Sequence, residues 1–499
     1  MMKKQLKRLL SCLALCALLA GSLAAPAAAA GFADVPANHW AAESIQRCVK
    51  LGFFQGQSAS RFGLGQKMTR SAFTVVLCRF FGWETIAPTK AVYQDVPTDA
   101  WYAGAVKAAY NHGALTDQRE CFRPNDPITR EELAVMLVRA MGYGPIAGLA
   151  QDLPMPFRDV TTNTGYITMA YDLGLVSGTA ADTFSPERAA TREQVAVILM
   201  RLYDKLHKTG PGRIAVASAP GDFTGLEAVA VPAGRLLIAG GKPMVNTTMD
   251  ETVTDSVLEA ARQAGAKKLL YLTGGPTALN GTAAGTAAAA AEKVSAGGYD
   301  GVLLEVPKLS TRKSGAMTDL VKALDAALGD KLLYVMAEAP TRVGATYGYE
   351  YEALAAAADR LVLRIAPYET FSDGFPTAPV DPLEEIYYAL GSLCDSIDSE
   401  KLALMVTTGF SAWSGQRPYA LTPEEYQNLL ADPKTGTHYS DRYACAYLTG
   451  TVGSKEVVVW YLDRQAAAAR LQMVRAFGVG QLCLDNWAST SQDLLSGLC

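Results

Sequence analysis

Residues 122–138 read Phe-Arg-Pro-Asn-Asp-Pro-Ile-Thr-Arg-Glu-Glu-Leu-Ala-Val-Met-Leu-Val: a Phe-x-Pro turn, a Thr-Arg-Glu step and an apolar run. Leu133, Val135, Met136, Leu137 and Val138 follow Thr-Arg at helical spacing, so a helix opens there. The same text recurs on either side. Phe62 leads to Met68-Thr69-Arg70, and Phe184-Ser185-Pro186 leads to Ala190-Thr191-Arg192-Glu193. Each copy starts upstream on an aromatic-x-Asp-Val step, at Phe32 to Val35, Tyr93 to Val96 and Phe157 to Val160, so its aspartate is Asp34, Asp95 or Asp159. A repeat this regular sets the architecture: three units, over 31–82, 93–143 and 157–206, each of two helices around a glycine-punctuated loop.

Thr129 and Thr191 read as helix caps, because Glu132 and Gln194 stand three residues on in the capping-box pattern; the first repeat has Ala72 there. The arginine beside each threonine is harder to place. A cation in the first helical turn opposes the helix dipole, yet Arg70, Arg130 and Arg192 hold that position in all three copies. An anionic ligand at the helix start would give the position a use; pairing with the aspartate of a neighbouring repeat is the alternative. Trp40 and Trp101 read first as core packing and second as platforms for a sugar ring.

These residues resemble the S-layer homology domain, whose pattern runs Phe-x-Asp-Val, His-Trp-Ala, a Gly-x-x-x-Gly turn, Phe-x-Pro and Thr-Arg-x-Glu; residues 38–41 here are Asn-His-Trp-Ala. The resemblance implies an α-helical pseudo-trimer that docks non-covalently on secondary cell-wall polysaccharide. On the matching positions it implies a polymer-binding set of Asp34, Trp40, Arg70, Asp95, Trp101, Arg130, Asp159 and Arg192. The third repeat departs from the pattern with Gly165-Tyr166 in place of Trp, and the first with Thr69-Arg70-Ser71-Ala72, which lacks the acid.

Upstream of the repeats, Lys3, Lys4, Lys7 and Arg8 precede an apolar run from Leu9 to Ala20 and an Ala-x-Ala site at Ala28 to Ala30. This reads as a secretory signal peptide over 1–30, too short in its apolar run for a membrane span. Its removal takes four positive charges and no acids, moving the net charge from −4 to −8. No basic stripe remains for a nucleic acid. Seven cysteines stay in the mature chain without a Cys-x-x-Cys pair, so they read as small buried hydrophobes rather than metal ligands, and no cofactor is expected.

After Lys208-Thr209-Gly210-Pro211-Gly212 the pattern changes to strands alternating with helices. Candidate strands at 213–218, 226–232, 267–273, 299–306, 331–337, 360–366, 401–407 and 480–485 predict a (β/α)8 TIM barrel over 213–499, an α/β unit with a small β insertion of two strands at 438–460. In such barrels chemistry sits at the C-terminal strand ends. The polar residues there are Thr273, Glu305, Glu338, Tyr368-Glu369, Thr408 with Trp413, and Asp485 with Trp487. Carboxylates and aromatic faces around one rim suit a glycan cleft, with Glu305, Tyr368, Trp413 and Trp487 lining it.

The set resembles family 18 glycoside hydrolases, the chitinase-like and spore-cortex-lytic group. Leu272-Thr273-Gly274-Gly275 looks like the end of their third strand, and Gly298-Tyr299-Asp300-Gly301-Val302-Leu303-Leu304-Glu305-Val306-Pro307 like their fourth, Asp-Gly-x-Asp-x-Asp-x-Glu. Laid without gaps, the three acids fall on Leu303, Glu305 and Pro307, the last being the family's general acid. Proline cannot donate a proton. The expectation is therefore a barrel that binds amino-sugar glycan with little or no hydrolysis. An active hydrolase on peptidoglycan or a chitin-like polymer would need Glu305, Glu338, Glu369 or Asp485 as its catalytic acid; a third reading makes the barrel a structural display domain.

Overall fold

The computed structural model describes residues 32–116, 121–151, 153–208, 210–342, 347–366, 377 and 379–498. The expected signal peptide and the Tyr368-Glu369 pair lie outside the described residues. The chain divides into two compact units: one takes the described residues up to 144 with 155–170 and 174–202, the other takes 145–154, 171–173 and 203 onward.

The first unit is built on helices α1 (Ala42–Lys50), α2 (Arg70–Phe81), α3 (Ala103–Asn111) and α4 (Arg130–Ala140) and on most of α6 (Thr164–Asp172) and α7 (Arg192–His207); α5 (Gly144–Ala150) falls, but for Gly144, in the second. Its repeats are joined at a pseudo-threefold axis by a closed ring of backbone bonds. Met68 N–H donates to Ala190 O, Ala190 N–H to Ile128 O and Ile128 N–H to Met68 O, at 2.8 to 2.9 Å. About two helical turns further on, Leu77, Leu137 and Leu199 are fully buried at equivalent places, so α2, α4 and α7 turn the same face inward. The capping expectation holds in full only for α4, where Thr129 and Glu132 complete the reciprocal box. Thr69 caps α2 alone. Before α7 half the box forms: Gln194 Oε1 accepts from Thr191 N–H, while the buried Thr191 hydroxyl has no partner among the described residues.

In the second unit eight parallel strands close a barrel in the order β1 (Gly212–Val216), β14 (Gln481–Leu484), β8 (Leu402–Val406), β7 (Arg360–Arg364), β6 (Leu332–Glu338), β5 (Gly301–Glu305), β4 (Lys267–Gly274) and β2 (Ala228–Ala239), with β2 returning to β1. β3 (Lys242–Thr247) extends β2 as an antiparallel hairpin. The interior is one apolar cluster that includes Ile214, Ala230, Leu269, Leu303, Met336, Val362, Met405 and Cys483. Strand alternation sends Leu303 and Glu305 inward together. Gly301 has no alternative: a Cβ there would stand 2.3 Å from Leu332 O, so the β5–β6 contact excludes any side chain.

The insertion is larger than the two strands expected at 438–460. Five antiparallel strands, β9 (Phe410–Ser414), β10 (Arg417–Pro418), β11 (Gly436–Ser440), β12 (Cys445–Val452) and β13 (Lys455–Tyr461), form a sheet of their own in the order β10-β9-β13-β12-β11. Gly409 to Trp413 looks like a glycine-led turn, but in the fold it is mostly strand, paired along β13 from Phe410↔Tyr461 to Trp413↔Val458. Of the six described cysteines, none is in a disulfide; four are buried, Cys394 is half-buried and Cys121 is exposed. No helix among the described residues is long and apolar enough to cross a membrane.

Candidate functional site

Each repeat assembles its part of the first site by the same relay. The Asp34 carboxylate accepts from the N–H groups of Phe62, Gly63 and Leu64 at 2.8 to 3.1 Å. Asp95 does so for Phe122 and Arg123 at 2.6 to 2.7 Å, and Asp159 for Phe184 and Ser185 at 2.7 to 2.8 Å. The carbonyl of the same phenylalanine then accepts from the arginine Nε of another repeat: Arg70 to Phe122 O, Arg130 to Phe184 O and Arg192 to Phe62 O, at 2.7 to 2.9 Å. The guanidinium carbon stands 4.5 to 5.1 Å above that phenyl ring, a cation–π seat. Arginine and aspartate of adjoining repeats are thus coupled through one phenylalanine rather than by a direct ion pair. This explains why arginine recurs against the helix dipole: its partner is a turn held by the next repeat.

The three arginines are not equivalent. Arg70 Nη1 lies 2.7 Å from Glu132 Oε1, and Arg123 closes on the same oxygen. At the places equivalent to Glu132 the other grooves have Gln194 and Ala72, and at the place of Arg123 they have Ser185 and Gly63. Arg130 Nη2 and Arg192 Nη2 donate instead to the backbone oxygens of Ser177 and Gln55. Among the described residues neither forms an ion pair. The Arg70 groove is a cavity of about 380 Å³ whose lining includes Arg123, Glu132, Arg139 and Asn163. Arg123 and Glu132 were not among the expected site residues, although a charge inside the Phe-x-Pro turn was the available signal.

Trp40 and Trp101 are 62% and 69% exposed, which overturns core packing as their leading reading; their ring neighbours are His39 and Tyr102, each with centroids 5.4 Å away. In the third repeat the corresponding Tyr166 is taken by Arg139, which lies 5.0 Å over its ring and donates to its hydroxyl at 3.2 Å.

The Phe62 N–H and its two neighbours outweigh the slight burial of Asp34 and hold its carboxyl below the ordinary value; Phe184 and Ser185 do the same for Asp159. A carboxylate with a depressed folded-state pKa stabilises the fold above its unfolded pKa and loses that contribution as pH falls through the folded value. The expected result is a repeat unit whose thermal midpoint is flat near neutrality and falls below about pH 4; a midpoint unchanged to pH 3 would contradict the relay.

At the barrel rim the three expected acids among the described residues, Glu305, Glu338 and Asp485, are all engaged. Glu305 is buried; its Oε1 lies 2.5 Å from Arg364 Nη1, and Oε2 accepts from the Tyr271 hydroxyl. Burial alone would lower Arg364, but the Glu305 carboxylate raises it above its ordinary value. Burial, then the same carboxylate, push the Tyr271 phenol up. Glu338 accepts from Lys308 N–H on both oxygens, at 2.9 and 3.0 Å, and from the Tyr349 hydroxyl at 2.7 Å. Asp485 Oδ1 accepts from the Thr408 N–H and hydroxyl at 2.8 and 2.9 Å. Thr273 pairs with Glu305 in register across β4 and β5.

Of the aromatic candidates, Trp413 is buried in β9 with its Nε1 on Ser411 Oγ, so it offers no face to a glycan. Trp487 is half-buried, 6.0 Å from the Phe223 ring. Residue 221 must be glycine for it to pack there, since a Cβ would stand 2.9 Å from its Nε1. Pro307, at the expected donor position, is half-buried and precedes Lys308, whose φ is 55°. Arg364 went unnoticed in the sequence because nothing local marks a strand-end arginine as a partner of an acid two strands away.

Comparison with known proteins agrees with both halves. The S-layer homology domain model matches residues 31–74, 92–134 and 156–196, so the first unit carries three S-layer homology repeats. An endoglucanase of Bacillus sp. (strain KSM-635) is 30% identical over 263 residues, 48% of this chain and 26% of that protein. An S-layer protein of Bacillus thuringiensis subsp. finitimus is 28% identical over 208 residues, 41% of this chain and 25% of that protein. The chain therefore spans about a quarter of the length of these relatives. A class V chitinase structure from Nicotiana tobaccum superposes with a TM-score of 0.50 at 14% identity, covering 58% of this chain and 98% of the chitinase. At that identity the likeness shows the fold, a chitinase-like TIM barrel.

Proposed function

From three S-layer homology repeats followed by a chitinase-like barrel, we infer a cell-surface protein held non-covalently on secondary cell-wall polysaccharide, displaying a barrel that takes up amino-sugar glycan without cleaving it. The observation that carries the barrel half is the Glu305–Arg364–Tyr271 cluster: the one acid that falls on the family's acid positions is buried and paired, and the donor position is Pro307. A carboxylate bound inside the barrel by a guanidinium and a phenol lacks the access to a glycosidic oxygen that general acid catalysis needs. Among the described residues Trp487 remains as the expected aromatic contact of the cleft.

For the anchor, exposed Trp40 and Trp101 and the arginine turns supply a stacking face and cations for an anionic sugar polymer. Because Glu132 already neutralises Arg70, Arg130 and Arg192 carry most of the attraction. Each of Arg130→Ala and Arg192→Ala should weaken retention on purified wall sacculi about tenfold, the worth of a hydrogen bond to a charged group. Arg70→Ala should change it less than threefold, and Glu132→Gln should tighten it. Equal losses at all three arginines in co-sedimentation would refute the ranking.

A further inference from the structure

At the N-terminal end of the barrel, away from the rim acids, a cavity of about 170 Å³ opens between the starts of β1, β7, β8 and β14. Its walls include Lys208, Gly210, Arg360, Glu400, Arg475 and Gly480. Lys208 Nζ is 2.7 Å from Glu400 Oε1, so the carboxylate is committed to the lysine. Among the described residues the two arginines have no such partner. Arg360 Nη1 donates only to its neighbour's carbonyl, Asp359 O, at 3.1 Å, and the Asp359 carboxylate is itself turned to Leu333 N–H. The Nε–H groups of both Arg360 and Arg475 are buried with no acceptor among the described residues.

Two guanidinium groups beside each other with unmet donors are costly unless something accepts from them. Two glycines shape this wall: a Cβ on Gly210 would stand 3.1 Å from Arg475 Nη2 and crowd the guanidinium, and one on Gly480 would stand 2.2 Å from Glu400 O, where the two backbones pack closely. The cavity is too small for a sugar ring with its neighbours but roomy enough for a tetrahedral oxyanion. Three cations less Glu400 leave a charge of +2, which matches a dianion.

We propose that this pocket is a binding site for a phosphate dianion, held by the guanidinium groups of Arg360 and Arg475 with Lys208 at its mouth. Guanidinium forks recognise phosphate oxygens in pairs, which a lysine cannot do. A terminal phosphomonoester and free inorganic phosphate share this chemistry; a phosphodiester, carrying one charge and two substituents, does not fit it. The site is independent of the wall-anchoring and glycan readings.

The test is calorimetric titration of the full secreted chain with inorganic phosphate, at constant ionic strength. It is repeated in an Arg70→Gln, Arg130→Gln, Arg192→Gln background so that the repeat arginines contribute nothing. The expected result is one saturable phosphate site in both backgrounds, weakened at least tenfold by Arg475→Gln and by Arg360→Gln, with Arg475→Lys between. Phenyl phosphate should bind if a terminal monoester is accepted in place of free phosphate, and fail if only the free ion fits. Dimethyl phosphate should bind at least tenfold more weakly than inorganic phosphate, and chloride not at all. Phosphate should also raise the thermal midpoint of the native chain and leave that of Arg475→Gln unmoved, a readout that holds even if the variant is less stable. Absence of saturable heat, equal binding of dimethyl phosphate, or binding indifferent to both arginines would each overturn the proposal.

Discussion

Arg364→Met should lower the stability of the barrel by about 3 kcal/mol, because it strands the Glu305 carboxylate inside the barrel. The figure belongs at the low end for a broken buried pair, since Glu305 is 8% exposed but Arg364 33%, so water screens part of the attraction. The loss should depend on pH in a definite sense. Without the guanidinium the buried carboxylate keeps its charge near neutrality with no partner, so the loss should be greatest there and smaller in acid, where the charge is removed. Glu305→Gln combined with Arg364→Met should restore most of the stability, because no charge then needs a partner. Thermal unfolding of the three variants between pH 4 and 8 checks this; a pH-independent loss, or a double variant worse than the single, would show that the pair is not what holds this layer.

A larger loss is expected at Arg470, the largest fully buried side chain among the described residues. It lies on the helix Arg464–Phe477 and donates to the backbone oxygens of Ala466 at 3.0 Å, Asp381 at 2.6 Å and Ala444. Ala466 is on the same helix, but Asp381 and Ala444 belong to the segment before the helix Leu383–Leu393 and to the loop entering β12, so one guanidinium pins the five-stranded insertion to the barrel wall. Arg470→Met keeps the stem but leaves several buried carbonyls unsatisfied, at about 1 to 3 kcal/mol each, so a total near 4 kcal/mol is expected. Asp381 sharpens the case. Burial pushes its carboxyl up to about 6, against the Thr407 N–H and the Arg470 charge that pull it down. Removing that cation should raise it further and make the variant lose more stability at pH 8 than at pH 5. Urea unfolding at the two pH values measures both effects, and a loss under 1 kcal/mol would mean the insertion is held by its own sheet.

The parts of the fold that sequence could reveal are those with a period. Eight strands were legible because each is a short apolar run bounded by turn residues, and the observed bounds fall within a few residues of the expected ones, apart from the longer far end of β2. The repeats were legible because Asp, Phe and Arg recur at fixed offsets. What stayed hidden was pairing between distant segments. Nothing near Glu305 announces Arg364, nothing near Arg70 announces Glu132, and Phe410 to Ser414 become a strand only because β13 arrives, some forty residues later, to pair with them. The exposure of Trp40 and Trp101 was missed for a related reason: an aromatic just ahead of a buried helix fits either face until the neighbouring repeat is in place.

The most direct test of anchoring without turnover is to incubate residues 31–499 with purified wall sacculi and with chitin, scoring retention and newly released reducing ends in the same tubes. The account predicts saturable retention on sacculi, lost when Arg130 and Arg192 are both replaced by alanine, and no reducing ends above background from either polymer. Chitin binding should be weakened by Trp487→Ala, and reducing ends should appear only if Pro307→Glu restores a donor. Hydrolysis by the unaltered chain that disappears on replacing Glu338, Glu369 or Asp485 would contradict it, and would show that another rim acid has taken over the chemistry.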